Sequence, residues 1–203
     1  RTDRIDLLYL HVDDAAVEFD ETLLAVDELI RSGAVRHFGA SHHTGTRLIE
    51  ARIASAQLGV APMTALQNHY NLVFRREYEQ GLSRIAHVQS LGVMPRFALA
   101  GGFLAGKYRS RADLARTERR GTLGRLLARP GLQVLAALDR VAAEVDASVA
   151  TVALAWLLSK PDVVVPVVSA TAADQVLDLA TAAGLSLTRR QLTDLDRASE
   201  PFA

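Results

Sequence analysis

The run Asp-Leu-Leu-Tyr-Leu-His at residues 6–11 is the feature that most constrains the fold of this chain. Side chains alternate along a strand, so Leu7, Tyr9 and His11 would lie on one face and the two other leucines on the opposite face. Both faces are apolar until the histidine, which is typical of a parallel strand covered on two sides. The run therefore predicts an α/β fold with a titratable ring at the carboxyl end of a strand, where such folds place their chemistry.

Five short apolar runs alternate with amphipathic helical patterns along the chain. The predicted strands are Ile5–Leu10, Val35–Ser41, 63–67, 93–97 and 163–168. The predicted helices cover 21–31, 46–58, 77–90, 134–145, 149–158, 172–183 and 189–199. We expect Thr44 to cap the second helix and Gly59 to end it. The run 163–168 is apolar throughout, which predicts a strand buried on both faces.

This alternation predicts a parallel sheet covered by helices. Eight βα units close into a (β/α)8 barrel of the TIM type, typically about 250 residues long, and five units do not close. We therefore expect an incomplete barrel of about five units with the first three missing, in a chain that is a fragment or N-terminally truncated. Its 203 residues are expected to form a single domain over 1–203. The connection 98–130 is too long for an ordinary loop, which favours a functional role.

Composition excludes several classes of partner and chemistry. The chain has no cysteine, so disulfides and thiolate chemistry are excluded. Its formal net charge is zero, which suggests neither nucleic acid nor a membrane surface as a partner. No apolar run approaches the roughly 20 residues of a membrane helix. We therefore expect a cytoplasmic protein.

Five motifs that follow or overlap the predicted elements occur in a characteristic order. They are DLLYLH at 6–11, VRHFGAS at 35–41, LQNHYN at 66–71, GGFLAGKY at 101–108 and VALAWLLSKP at 152–161. Together they resemble the aldo-keto reductase family, from its fourth barrel strand to its C-terminus. The resemblance implies a (β/α)8 barrel and hydride transfer between a nicotinamide cofactor, usually NADPH, and a carbonyl compound. The implied substrate is a small aldehyde or ketone, or an alcohol in the reverse direction.

The resemblance also implies roles for residues near the first three strand ends. His11 matches the catalytic histidine, whose ring would orient the substrate carbonyl and assist the proton donor. Ser41 and Gln67 match residues that hydrogen-bond the nicotinamide carboxamide, and His42 stands where the family usually has Asn. The alternative for His42 and His43 is a solvated turn. A metal site is not expected, because adjacent histidines on extended backbone point apart.

Further cofactor-binding residues are implied from residue 96 onward. They are Arg96, Leu99, Gly101, Lys107, Ser169, Thr171, Gln175 and Asp178. Arg96 stands where the family commonly places a Tyr that stacks on the nicotinamide, and the last four match the adenosine end. The resemblance favours NADP(H) over NAD(H), although residues 169–178 lack the basic residue that many NADP-preferring members carry. Residues 107–129 contain eight basic and two acidic residues, and this loop either steers an anionic dinucleotide or is merely solvated.

The family's catalytic Asp, proton-donating Tyr and pKa-lowering Lys come from the three units that this chain is expected to lack. Tyr9 shares a face with His11 but lies about 7 Å deeper along the strand, which favours a core role. The alternative function is therefore a non-catalytic, truncated barrel that binds a dinucleotide or a partner. An open barrel would also expose strand edges, through which self-association is possible.

Overall fold

The computed structural model describes residues 2–14, 16–116 and 120–203. The chain divides into two compact units. Unit 1 comprises Arg1–Asn68 and Gly81–Met94, and unit 2 comprises His69–Gln80 and Pro95–Ala203. The expectation of a single domain over 1–203 stays a prediction.

A parallel sheet forms the centre of unit 1. Its four strands, in spatial as well as chain order, are β1 (Ile5–Leu10), β2 (Val35–Ser41), β3 (Ala65–Gln67) and β4 (Gly92–Val93). The prediction of an α/β fold with a parallel sheet is confirmed, and β1 and β2 have the predicted bounds. Gly39 allows β2 and β3 to approach, because a Cβ atom there would lie 2.6 Å from the Ala65 carbonyl oxygen.

Unit 1 has three α-helices in its described residues, and local capping signals set the bounds of the second one. These helices are α1 (Phe19–Arg31), α2 (Gly45–Leu58) and α3 (Ser83–Val88), the last directly after a π-helical turn at Tyr78–Leu82. The Thr44 side chain accepts a hydrogen bond from the Arg47 N–H at the start of α2. Gly59 ends α2 with a left-handed φ of 68°. Both caps confirm the prediction, since glycine reaches that conformation without a Cβ clash.

Helices make up most of unit 2. They are α4 (Arg120–Leu126), α5 (Arg129–Val145), α6 (Val149–Leu158), α7 (Ala173–Thr181) and α8 (Arg189–Ala198). The centre of α6 is wholly buried, and Trp156 is one of the largest buried side chains of the unit. No single helix among the described residues is long and apolar enough to cross a membrane; α5 and α6 together, bent by 95°, would qualify by length and composition alone.

Two strand predictions are wrong. Residues 163–168 do not form a buried strand: Val164 is 64% exposed, and the segment is bonded to Pro95 through the Val167 N–H. The predicted strand 93–97 is reduced to Gly92–Val93, because Pro95 has no N–H to donate to a neighbouring strand. An apolar run is buried as a strand only where neighbouring strands and helices cover it. The sheet in the described residues therefore has four strands rather than five.

Candidate functional site

A cavity of about 610 Å³ lies in unit 2. All eight cofactor-binding residues predicted from residue 96 onward line this cavity: Arg96, Leu99, Gly101, Lys107, Ser169, Thr171, Gln175 and Asp178. They come from two chain segments, 96–107 and 169–178, which are about 60 residues apart in the sequence. The cavity falls within the 300–1,000 Å³ range that is usual for small-molecule and cofactor sites.

Two consecutive glycines shape one part of the cavity wall. Gly101 has φ 66° and Gly102 has φ 98°, so both adopt backbone that other residues rarely take. A Cβ atom on Gly102 would lie 3.5 Å from Lys107 Cδ and 3.4 Å from Tyr108 Cε2, so both side chains lie beside the glycine backbone. Glycine backbone beside a lysine side chain is suited to a phosphate group.

The segment before α7 shapes another part of the wall. The Thr171 N–H donates a hydrogen bond of 3.1 Å to Gln175 Oε1, so the Gln175 side chain occupies this backbone donor. Thr151 Oγ1 donates to the carbonyl oxygen of Asp178 at 2.9 Å and ties α7 to α6. Among the described lining residues, Arg96 and Lys107 are the cations and Asp178 is the anion. The lining therefore carries a small positive charge.

Arg96 enters the cavity beside a strained stretch of backbone. Its guanidinium lies 4.7 Å from the centre of the Phe97 ring, a cation–π geometry. Phe97 and Ala100 both have positive φ, at 55° and 49°. Such conformations persist only where the surrounding structure holds them, and they cluster at binding sites. Asn71 supplies one such restraint, because its side-chain amide donates to the Phe97 carbonyl oxygen at 2.9 Å.

His69 packs behind this stretch as a neutral ring. It stacks on Phe74 with ring centres 3.8 Å apart, and its backbone forms a bridge to Arg96. Burial, with a contribution from the Arg96 charge, lowers the pKa of His69 to about 4. The ring is thus uncharged at neutral pH and supports the cavity wall by packing.

Unit 2 is expected to lose stability as the pH falls from about 6.5 towards 4. Over that window an unfolded His69, with a pKa near 6.5, binds a proton that the folded ring does not. The contribution is present in full above the unfolded pKa and is lost on acidification. Melting temperatures across this window check the expectation, with His69→Phe, which keeps the stack on Phe74, as the control. An unchanged slope in that variant would contradict the assignment.

The carboxyl ends of β2 and β3 bring two predicted residues of unit 1 together. Ser41 is fully buried and stands opposite Gln67 in the strand register. The Ser41 hydroxyl donates to Gln67 Oε1 at 3.4 Å. The pair presents a hydroxyl and a primary amide side by side, which together offer both donors and acceptors.

His11 and His42 form a second pair in unit 1. Their ring centres are 5.4 Å apart with an interplanar angle of 78°, an edge-to-face arrangement. Both residues are exposed, and His42 has a left-handed φ of 55°. The structure thus places the predicted catalytic ring directly after β1, next to another imidazole.

His43 is a site residue that the sequence interpretation did not identify. Its side chain is only 2% exposed, so the solvated-turn alternative is wrong for this residue. The ring lies between the Ser41 carbonyl oxygen, 2.8 Å from Nδ1, and Asp13, whose Oδ1 is 3.9 Å from Nε2. The main cause that lowers the pKa of Asp13 is its hydrogen bonding to Arg47, and the carboxylate therefore stays ionised. No short-range spacing signals this cluster.

The tyrosines of the described core have environments unlike that of an activated proton donor. The Tyr9 hydroxyl donates to Met94 Sδ at 2.8 Å, and burial raises the pKa of Tyr9 to about 12. The Tyr70 hydroxyl donates to Glu79, and burial likewise raises the pKa of Tyr70. These contacts support the core role predicted for Tyr9.

Part of the basic loop 107–129 is neutralised within the fold. Arg109 forms a paired contact with Asp139, at 2.6 and 2.7 Å, and Asp113 accepts hydrogen bonds from the backbone N–H groups of Arg109 and Ser110. Glu118 and Arg119 lie outside the described residues. The Arg109 charge is thus offset by an ion pair within the fold. This favours the alternative that the loop at that position does not steer a dinucleotide.

Known proteins are similar to this chain over nearly its whole length. The model of the Aldo/keto reductase family matches residues 1–200. Norsolorinic acid reductase of Aspergillus flavus is 26% identical over 203 residues, which cover 100% of this chain and 50% of that protein. The uncharacterized oxidoreductase YrpG of Bacillus subtilis is 30% identical over 198 residues, covering 96% of this chain and 59% of the relative. The chain thus spans about half the length of the curated relatives it matches.

A solved structure shows the same fold. The thermostable aldo-keto reductase Tm1743, crystallised with the inhibitor epalrestat, superimposes with a TM-score of 0.73 at 24% identity. The match covers 97% of this chain and 61% of that one. At this identity the likeness establishes the α/β fold of a TIM-barrel-type reductase.

Proposed function

The chain belongs to the aldo/keto reductase family, and on that premise we propose that it binds a nicotinamide dinucleotide for the NAD(P)H-dependent reduction of an aldehyde or ketone, or the reverse oxidation of an alcohol. The observation that carries the proposal is the cavity of unit 2, which brings together the eight predicted residues of two segments, 96–107 and 169–178.

The cavity residues fit the diphosphate and adenosine parts of a dinucleotide. The backbone at Gly101 and the Lys107 ammonium would hold the pyrophosphate, because glycine lets phosphate oxygens approach the main chain. Ser169, Thr171, Gln175 and Asp178 offer hydroxyl, amide and carboxylate groups to a ribose. The Arg96 guanidinium plane is suited to stacking on a flat ring.

Taken by itself, unit 1 offers groups at its strand ends that suit a nicotinamide ring and a carbonyl compound. When bound, a reduced nicotinamide would supply a hydride. Ser41 and Gln67 would fix the carboxamide and hence the ring face that is presented. The His11 ring would donate a hydrogen bond to the carbonyl oxygen and stabilise the negative charge that develops on it.

We also propose that this chain corresponds to the family barrel from its fourth strand to its C-terminus, which is the incomplete barrel that the sequence predicts. The family's catalytic Asp, Tyr and Lys are then supplied by residues outside these 203. The environment of Tyr9 supports this proposal, because its hydroxyl donates to Met94 Sδ at 2.8 Å in the packed part of unit 1.

The same observation favours a second candidate function, dinucleotide binding without turnover. If the proton donor is supplied by residues outside these 203, the chain by itself would bind the cofactor without completing proton transfer. Turnover separates the two candidates, because both require binding.

The test is fluorescence titration of the 203-residue chain with NADPH and NADH, with carbonyl reduction followed in the same sample. We expect binding, and we expect Lys107→Ala to weaken it about tenfold or more, the usual worth of a hydrogen bond to a charged group. Arg125→Ala, which removes an exposed positive charge of unit 2 outside the cavity lining, is the matched control. Absence of binding by the parent chain would refute the proposed function.

A further inference from the structure

We propose that His43 is a positioning residue: its ring fixes the turn at residues 41–43 and so determines where the Ser41 hydroxyl and the His42 ring lie. The inference rests on the proposed function, because Ser41 is assigned there to the nicotinamide carboxamide. It concerns a buried side chain of unit 1.

The first support is the hydrogen bond across the turn. His43 Nδ1 lies 2.8 Å from the Ser41 carbonyl oxygen, and the ring is almost wholly buried. A carbonyl oxygen can only accept a hydrogen bond, so Nδ1 carries the proton and donates it. The imidazole therefore binds the main chain two residues before its own and closes the turn at the end of β2.

The second support is the strained residue that this bond encloses. His42 lies between the two bonded residues and has φ 55°. Residues with a Cβ atom rarely adopt this conformation, and they keep it only where surrounding contacts hold it. The His43 hydrogen bond is such a contact, and without it the backbone at His42 is free to relax to an ordinary conformation.

The third support is that the ring is held from its other sides. Phe19 stacks on it with ring centres 6.3 Å apart and planes 28° from parallel. The Arg47 guanidinium covers the other partner of this stack, the Phe19 ring, at 3.8 Å. The Asp13 carboxylate lies 3.9 Å from Nε2, outside hydrogen-bond distance, and is bonded to Arg47 instead, at 2.7 and 3.0 Å. The packed imidazole therefore anchors the turn through the Ser41 bond and the Phe19 stack.

Two contacts of the candidate site are made by residues of this turn. The Ser41 hydroxyl reaches Gln67 at 3.4 Å, and the His42 ring meets His11 at 5.4 Å. Rotation of the backbone at His42 would move both groups. Loss of the anchor should therefore loosen the carboxamide site and separate the two imidazoles.

Three substitutions of His43 separate positioning from simple burial. His43→Asn places an amide N–H where Nδ1 stands, and it can still bond the Ser41 carbonyl oxygen. His43→Leu removes the donor altogether, because its side chain is apolar. His43→Gln keeps an amide but places it one bond too far from the backbone to reach the position of Nδ1. Three quantities are measured for each: the melting temperature, the NMR cross-peaks between the His11 and His42 ring protons, and the affinity for NADPH.

We expect His43→Asn to keep the cross-peaks and most of the affinity. Whichever of the Leu and Gln variants folds should lose the cross-peaks and bind NADPH about tenfold more weakly, as is usual when a residue supporting a ligand group is removed. The proposal is overturned if Asn is as impaired as the other two, or if the other two retain both properties. Should the parent chain bind no dinucleotide, the proposed function fails, and the cross-peaks alone still decide the positioning role.

Discussion

The substitution Thr171→Arg is expected to raise the affinity for NADPH about tenfold or more and to leave the affinity for NADH nearly unchanged. The expected gain follows because a hydrogen bond between charged groups contributes about 1.5–3 kcal/mol to the free energy of binding. Thr171 lines the cavity and is exposed. Its own N–H is already bonded to Gln175 Oε1. The 2′-phosphate that distinguishes NADPH therefore lacks a free backbone donor there, and a guanidinium would supply a bidentate partner.

The charge balance of the cavity explains why the effect should discriminate between the cofactors. Arg96 and Lys107 offset the two negative charges of a pyrophosphate only in part, because Asp178 also lines the cavity. A further phosphate adds negative charge that the described lining does not match. An added arginine then acts on NADPH alone, provided that the adenosine ribose lies against Thr171 as proposed.

The control is Thr181→Arg, which adds the same charge to α7 outside the cavity lining. Titration of both variants with both cofactors gives the ratio of dissociation constants. An equal gain for NADPH and NADH would point to general attraction and would contradict the placement of the adenosine end. Equal behaviour of the two variants would contradict it as well.

Some parts of the fold could be predicted from the sequence and others could not. Helix α2 begins and ends as predicted because Thr44 and Gly59 act through their own backbone neighbours. The run 163–168 contradicts its prediction because burial depends on which elements cover a segment, and an apolar run cannot encode that. Features that depend on neighbouring residues, such as helix caps, were therefore predictable from the sequence. Burial by elements distant in the sequence was not.

The candidate site shows the same division. The cavity residues were predictable because whole motifs, such as GGFLAGKY, carry the family resemblance and fold onto one wall. The anchor around His43 was not, since Asp13 and Arg47 are 34 residues apart and meet only in the folded unit. A lone histidine after a strand resembles any solvated turn residue until its partners are known.

Removal of the Asp196 carboxylate is expected to cost unit 2 about 2–3 kcal/mol of unfolding free energy, because it leaves a buried donor and a partly buried cation without their acceptor. Asp196 Oδ1 accepts hydrogen bonds of 2.8 Å from both Trp156 Nε1 and Lys160 Nζ. Trp156 is fully buried, and the Lys160 ammonium also lies 4.4 Å from the centre of its ring.

Chemical denaturation of Asp196→Ala and Asp196→Asn measures this cost. The asparagine oxygen can still accept from the indole, so Asp196→Asn should lose about 1 kcal/mol, the charge-dependent part of the contact. Asp194→Ala is the matched control: it removes a carboxylate from the same helix whose partner, Arg190, is exposed, and such pairs contribute about 0–1 kcal/mol. Equal losses in the two alanine variants would show that the Trp156 bond stabilises nothing, and that packing of α6 alone holds the core of unit 2.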